Sequence, residues 1–508
     1  MEAVYRLETG LDEALLRRAV ELALNLGYHL TLDGLEYLRS LPNDVELNVL
    51  VKKAVELARA EGAEEPVLSA DQLRRAFEKV SPKPVERWSM TVTLKPYASE
   101  VEERFEVVEN PGAEAPVESS AEGFIEYFRD RFRRIERLMR RRIDVGDAVS
   151  LGEALKMPEG SKVKFICMVS ERRESGRGLI LRVEDLEHEA AVLVSDRTEV
   201  QYPVVEDVVI CVEAVKGRGD LFVAERIVFP NVPKRRRGGC DEPVMAALIS
   251  DLHVGSKMFL ERVFRRFVSW LRMEWGGRKL REMAGRVKYI LVCGDFVDGV
   301  GVYPNQEAEL QILDIYEQYE RVAELLSEVP DYVRVVGIPG NHDATRKALP
   351  QPPVFDEYSE PLKEANVTML GNPARIRLHG VEFLMCHGRS LDDVLSTVSG
   401  MSFEKPELGM EYLIACRHLA PMYGCNTPIA PSTRDYLVIE TPPDVLHMGH
   451  VHIFGYKAYK GILLVNSGTF QGKTEYQRRL GIEPTPGIVP LVDLKSMTVY
   501  TLNLMEAG

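Results

Sequence analysis

Val333-Arg-Val-Val-Gly-Ile-Pro339, running into Gly340-Asn341-His342-Asp343, is the stretch that decides how this chain reads. A β-branched run that stops at a polar tip predicts a buried strand carrying side chains into a site. Four further tips downstream of residue 245 repeat the design. Asp251 and His253 follow Val244–Ile249, and Asp295 and Asp298 follow Tyr289–Cys293. His387 follows Val381–Cys386, and His450 with His452 follow Val445–Met448. One strand-end Asp or His is ordinarily a cap or a turn residue. Five tips in order, all built from oxygen and imidazole donors, instead predict a shared site.

Between these tips lie helical segments such as Phe259–Trp275 and Glu307–Ser327, so the region 240–508 reads as an α/β layered domain. At 508 residues the chain is too long for a single core and predicts two to four domains. Hydrophobic content of 45% with 28% charge is that of a globular protein. No apolar run approaches the ~20 residues of a membrane span, and no basic-then-apolar leader opens the sequence, so a cytoplasmic location is expected. The seven cysteines form no CxxC pair, and Cys293 and Cys386 sit in apolar strands, which predicts reduced core thiols. A net charge of −14 means that any DNA contact must use a local basic patch or a partner's surface.

Residues 1–80 predict a small α-helical N-terminal domain, either an appendage or a docking module. Leu15, Leu16, Ala19, Leu22, Ala23 and Leu26 recur at helical spacing before Gly27, and a second helix is expected from Asn43-Asp44. Ser69 and Gln72 have capping-box spacing ahead of a third. The Pro-rich stretch 81–121 reads as a linker, with one short strand expected at Met90–Leu94. An arginine-rich helix follows over 122–143, its charges presented to solvent, phosphate or an acidic partner. Over 144–232, five short strands with Gly-containing turns predict an OB-fold β-barrel. Only Phe165 and Phe222 lie in those strands, so a structural role for the barrel competes with single-strand binding. No residue stands out for nucleic-acid contact.

Asp-x-His, Gly-Asp-x-x-Asp, Gly-Asn-His-Asp, Cys-His-Gly and Gly-His-x-His, in that order, resemble the calcineurin-like metallophosphoesterase superfamily. The resemblance implies an α/β (α+β) sandwich holding two divalent metal ions. By it, Asp251, His253 and His452 hold one ion, Asn341, His387 and His450 hold the other, and Asp295 bridges them. It makes His342 a catalytic group acting on the leaving oxygen, and Asp298 and Asp343 groups that orient ligating imidazoles. Manganese is the leading candidate, and iron or zinc suits the same donors. The neutral amide of Asn341 suits a site that must also accept a phosphate.

Longer stretches narrow the family. Gly340–Pro352, His387–Asp393, Arg417–Pro421, Thr427–Pro431, Asn466–Gln471 and Pro484–Asp493 are similar to the small subunits of archaeal family-D DNA polymerases. That resemblance implies a 3′–5′ proofreading exonuclease paired as a heterodimer with a large polymerase subunit and acting on a DNA 3′ end, with a sliding clamp an open further candidate. Two alternatives stay open: a stand-alone repair nuclease of the same superfamily, in which the phosphoesterase would come first in the chain, and a structural subunit without activity.

Overall fold

The computed structural model describes residues 13–39, 41, 47–60, 66–80, 95–114, 120–176, 178–236 and 238–506. The chain divides into two compact units, Met1–Thr93 and Leu94–Gly508. In the first, helices Glu13–Asn25, Leu32–Arg39, Leu47–Ala60 and Ala70–Val80 enclose a core of Leu16, Ala19, Leu50, Ala54, Leu73 and Ala76. Gly27 ends the first helix in the left-handed region at φ 87°, as its position predicts. Ser69 and Gln72 cap the last helix reciprocally, the Ser69 amide donating to Gln72 Oε1 at 2.9 Å.

The helix Leu32–Arg39 and the parallel pairing of His29–Leu30 with Val67–Leu68 go beyond the sequence reading. Gly34 allows that packing, because a Cβ there would meet the Leu68 carbonyl at 2.6 Å. The expected helix start at Asn43-Asp44 and the strand Met90–Leu94 lie outside the described residues.

In the second unit the stretch read as a linker carries a strand, Phe105–Glu109, paired antiparallel with Ala374–Leu378. Its partner is some 270 residues away (Arg377 with Glu106), so local composition could not reveal it. Helix Ala121–Arg140 forms as expected, capped by Ser120. Its arginines, however, do not all face outward. Arg131 and Arg134 are buried, with Arg131 Nε 2.8 Å from Asp435 Oδ2 and Nη1 2.7 Å from the Pro421 carbonyl. A buried guanidinium persists only when its N–H groups find such partners.

The strands Lys162–Ser175, Gly178–Glu184, Glu189–Val194, Val209–Lys216 and Leu221–Val228 form a closed barrel in which the first pairs with both the second and the fourth, the second with the third, and the fourth with the fifth. Parallel pairing of Ala191–Leu193 with Leu221–Val223 closes it. The first strand runs six residues past Val169, where its buried stretch ends. Its exposed extension is held by the hairpin ladder to Gly178–Glu184, not by burial, so apolar patterning gave no sign of it. Phe165 and Phe222 meet inside at a tilt, centroids 4.8 Å apart and both fully buried, and cannot serve as base platforms.

The remaining chain forms two face-to-face six-stranded sheets. One contains the parallel neighbours Val367–Met369, Arg334–Ile338, Val287–Cys293 and Met245–Ile249, extended by antiparallel Ile488–Asp493 and Thr498–Asn503. The other orders Gly455–Tyr459, Ile462–Asn466, Val445–Met448, Val381–Met385, Ala374–Leu378 and Phe105–Glu109. Leu248, Leu291 and Val336 of the first meet Ile376, Phe383 and Val465 of the second in one core. Alternate residues on the outer face of the first sheet, such as Ala247 and Ile290, pack on helices Glu261–Leu271 and Ile315–Ser327. Strands covered on both faces read as continuous apolar runs, and that is why the tips stand out in the sequence. All seven cysteines are free. Among the described residues no helix is long and apolar enough to cross a membrane.

Candidate metal centre

All five tips arrive at one place. Strands Met245–Ile249, Val287–Cys293 and Arg334–Ile338 run parallel, as do Val381–Met385 and Val445–Met448, so the C-terminal ends within each set share an edge. The loops that follow are strained. Asp251, His253, Asp295, His450 and His452 all adopt positive φ, between 51° and 71°. Such conformations are uncommon for residues with a Cβ and collect where the surroundings force them. Backbone contact supplies that force: the Asp251 amide donates to the Gly294 carbonyl at 2.9 Å and His253 to that of Asp295 at 3.1 Å. Gly340 permits the closest approach, since a Cβ there would lie 2.1 Å from Asp295 Oδ1.

Two clusters of donors result. In one, Asp251 Oδ1 lies 3.5 Å from His452 Nε2 and 3.9 Å from His253 Nε2, and the two imidazole nitrogens are 3.0 Å apart. In the other, His387 Nε2 lies 2.9 Å from Asn341 Oδ1 and 3.3 Å from His450 Nδ1. Asp295 Oδ2 stands between them, 3.7 Å from His253 Nε2 and 3.3 Å from His387 Nε2. All seven candidate ligands are therefore brought together. The donor set fits divalent cations on a further ground: Asp251 Oδ1 is buried and accepts no hydrogen bond. An unsatisfied buried carboxylate oxygen is costly unless a cation faces it.

The charges agree. Burial opposes ionisation of Asp295, yet His387 and the other imidazoles around it hold its carboxyl well below the usual range. Burial also disfavours a proton on His387, but Asp295 outweighs it and lifts the imidazole to about 9. This pocket draws in positive charge.

Around the donors is a ring of supporting groups. Asp298 Oδ1 lies 3.0 Å from His253 Nδ1, within hydrogen-bond reach of that ring. It is itself held by amide donors, Gln306 Nε2 and Gln471 Nε2, each at 3.0 Å. Asp343 behaves differently from expectation: it contacts no imidazole. Its carboxylate accepts backbone amides of Gly340, Asp295 and Phe296 at 2.8, 2.9 and 3.1 Å and the Tyr319 hydroxyl at 3.2 Å, clamping one tip loop to the next.

Two supports escaped the sequence reading. Asp392 Oδ2 lies 2.8 Å from His450 Nε2, leaving Nδ1 facing the cluster. Gln477 Nε2 lies 2.9 Å from His452 Nδ1, while Gln477 Oε1 accepts the Thr474 amide. Asp392 falls within the motif His387–Asp393 and was the more discoverable of the two. Gln477 announces itself only as the N3 residue of a capping box.

His342 contributes no atom to the two donor clusters, although it adjoins them. Its Nδ1 lies 2.7 Å from the Asp298 carbonyl and its ring meets His253 edge-on at 4.6 Å. Burial pushes its pKa down to about 4. The neutral ring thus donates Nδ1–H to Asp298 and keeps a bare lone pair on Nε2. His447 is buried beneath the cluster, bonded to Ser467 Oγ at 3.1 Å, in keeping with a core role. His418 lies apart, against Asp435 at 2.7 Å.

The family model for the B-subunits of DNA polymerases alpha and epsilon matches residues 246–454. The DNA polymerase II small subunit of Pyrococcus furiosus is 42% identical over 74% of this chain and 63% of its own length. This chain thus spans a little under two thirds of that relative. The small subunit of Archaeoglobus fulgidus is 39% identical over 78% of this chain and 82% of its own. That of Methanothermobacter thermautotrophicus is 38% identical over 89% and 92%. A solved archaeal phosphodiesterase aligns with 51% of this chain and 99% of its own at 13% identity, with a TM-score of 0.26 that carries no weight for the fold. On the identity and coverage of these curated relatives, the chain belongs to the family of DNA polymerase II small subunits.

Proposed function

We propose that this chain is the 3′–5′ exonuclease subunit of a DNA polymerase, hydrolysing phosphodiester bonds at a centre of two divalent cations. The observation that carries the reading is the placement of Asp295 Oδ2 between two sets of inward-facing donors. Asp251, His253 and His452 would hold one cation, Asn341, His387 and His450 the other, with Asp295 shared. Manganese, iron or zinc suits such donors. When bound, the pair supplies Lewis acidity toward the phosphate.

The chain's own groups supply the rest. Asn341 offers a neutral oxygen and so adds no negative charge against the incoming phosphate. His342 Nε2, bare because Nδ1–H is committed to Asp298, is set to take the proton that the attacking water loses. As the water oxygen bonds to phosphorus, the P–O3′ bond breaks, and the same proton can pass to the departing 3′ oxygen. Asp343 and Asp392 keep the tips and His450 in place.

The barrel's pairing, in which the third and fifth strands close in parallel, supports reading 144–232 as an OB fold. We likewise assign residues 1–80 as an interaction domain, 81–121 as the connection, 122–143 as the arginine-rich helix and 240–508 as the phosphoesterase domain. A large polymerase subunit is the expected partner, with the loops near Pro421–Pro431 among its candidate contacts.

The test is incubation of the purified chain with Mn²⁺ and a labelled 3′-mismatched primer. Stepwise loss of nucleotides from the 3′ end is expected. A primer left intact, alone and with the large subunit, would favour the structural-subunit alternative.

A further inference from the structure

Next to the candidate centre, residues 471–479 are tied down at two points and turn a basic, aromatic surface outward. Gln471 Nε2 reaches Asp298 Oδ1 at 3.0 Å, and Gln477 Nε2 reaches His452 Nδ1 at 2.9 Å. Between the tethers, Thr474 and Gln477 cap the helix Glu475–Leu480 reciprocally. With Gln477 facing inward, its neighbours face solvent: Tyr476 is 69% exposed, and the side chains of Arg478 and Arg479 are 62% and 77% exposed.

We propose that Tyr476, Arg478 and Arg479 form the landing surface for the single-stranded end of a nucleic acid entering the centre. Three arguments favour this ligand. The chain carries a net charge of −14, so a site acting on a polyanion needs a local reversal of sign, and the two arginines provide it beside the donors. Both arginines share one acidic partner, Glu475, which pairs with Arg478 at 2.7 Å and with Arg479 at 3.7 Å. Surface pairs of this kind are weak, so phosphate oxygens can replace the carboxylate. An exposed tyrosine between basic groups offers a face on which any base can stack, whatever the sequence. The barrel cannot supply such a face through Phe165 or Phe222, which are enclosed.

The proposal rests on the phosphodiesterase reading of the centre, and its test separates the two. Binding of a fluorescent oligothymidylate to the full-length chain is measured in EDTA over a range of salt. Hydrolysis of the p-nitrophenyl ester of thymidine 5′-monophosphate, which is too small to span both sites, is measured in Mn²⁺. Arg478→Ala/Arg479→Ala is expected to weaken oligonucleotide binding by about tenfold and to flatten the dependence of log K on log salt by about 1.4. Tyr476→Ala is expected to weaken it by about 5- to 100-fold. Small-ester hydrolysis should be unchanged in both variants. Wild-type affinity and salt dependence in both variants would overturn the proposal. So would retained oligonucleotide binding together with lost binding to the large subunit, which would make this a protein interface. A wild-type chain inert toward the small ester would instead strike the phosphodiesterase reading, while the binding comparison still decides the landing surface.

Discussion

Nδ1 of His342 lies 2.7 Å from the carbonyl oxygen of Asp298, whose carboxylate in turn holds His253. One residue therefore fixes a candidate ligand through its side chain and the candidate proton carrier through its backbone. Because His342 lies outside both donor clusters, its loss should separate chemistry from metal binding. His342→Ala is expected to retain its metal while losing about 10²–10⁴-fold in rate. Metal analysis by mass spectrometry beside single-turnover hydrolysis checks this, and an emptied site in the variant would move His342 into the ligand set.

Gln477 sets the proton position on His452. With Gln477 Oε1 accepting from Thr474, its NH₂ faces His452 Nδ1, so in the metal-free neutral ring the proton sits on Nε2, the nitrogen turned toward Asp251, and a cation bound there must displace it. A glutamate could accept from both Thr474 and an Nδ1–H, freeing Nε2 for a cation. Gln477→Glu is therefore expected to tighten binding at this half of the centre by about tenfold, within the range usual for such supporting groups. Calorimetric titration with Mn²⁺ reads it directly; unchanged or weaker binding would reject this account of the tautomer.

Arg131 ties helix Ala121–Arg140 to the loops of the sandwich through Asp435 and the Pro421 carbonyl. Removing one member of a buried ion pair leaves its partner uncompensated, so Arg131→Met should cost about 3–5 kcal/mol. Denaturant unfolding would show it as a lower midpoint, and a midpoint within error of wild type would contradict the packing described here.

The same cluster predicts acid sensitivity. Burial, reinforced by Arg131, pushes His418 from 6.5 down to about 4. Above pH 6.5 the ring is neutral in both folded and unfolded chains and costs nothing. Between pH 6.5 and about 4 only the unfolded chain takes up the proton, so stability falls as pH falls, by about 3 kcal/mol across that window. Melting temperatures over this range should drop less steeply for His418→Gln than for wild type. Parallel curves would remove His418 as the cause.

Much of the site was legible because its donors end apolar strands: burial on both faces leaves runs such as Tyr289–Cys293, against which Asp295 stands out. The groups that orient those donors were harder to see. Asp392 and Gln477 come from helices, where an acidic or amide residue normally faces solvent, and only tertiary pairing gives them a purpose. Asp343 is legible as a polar group at a tip, but sequence does not show whether a carboxylate will meet a ring or, as here, a row of backbone amides. Phe105–Glu109 and the inward turn of Arg131 were missed for a related reason: each depends on a partner hundreds of residues away.

The most direct test of the two-cation account is Asp295, the carboxylate between the two donor sets. Wild type and Asp295→Asn should be compared for Mn²⁺ bound per chain, melting temperature and 3′-end hydrolysis. Two ions per wild-type chain are expected, with hydrolysis abolished and the fold intact in the variant. Near-normal hydrolysis by Asp295→Asn in Mn²⁺ would contradict the account.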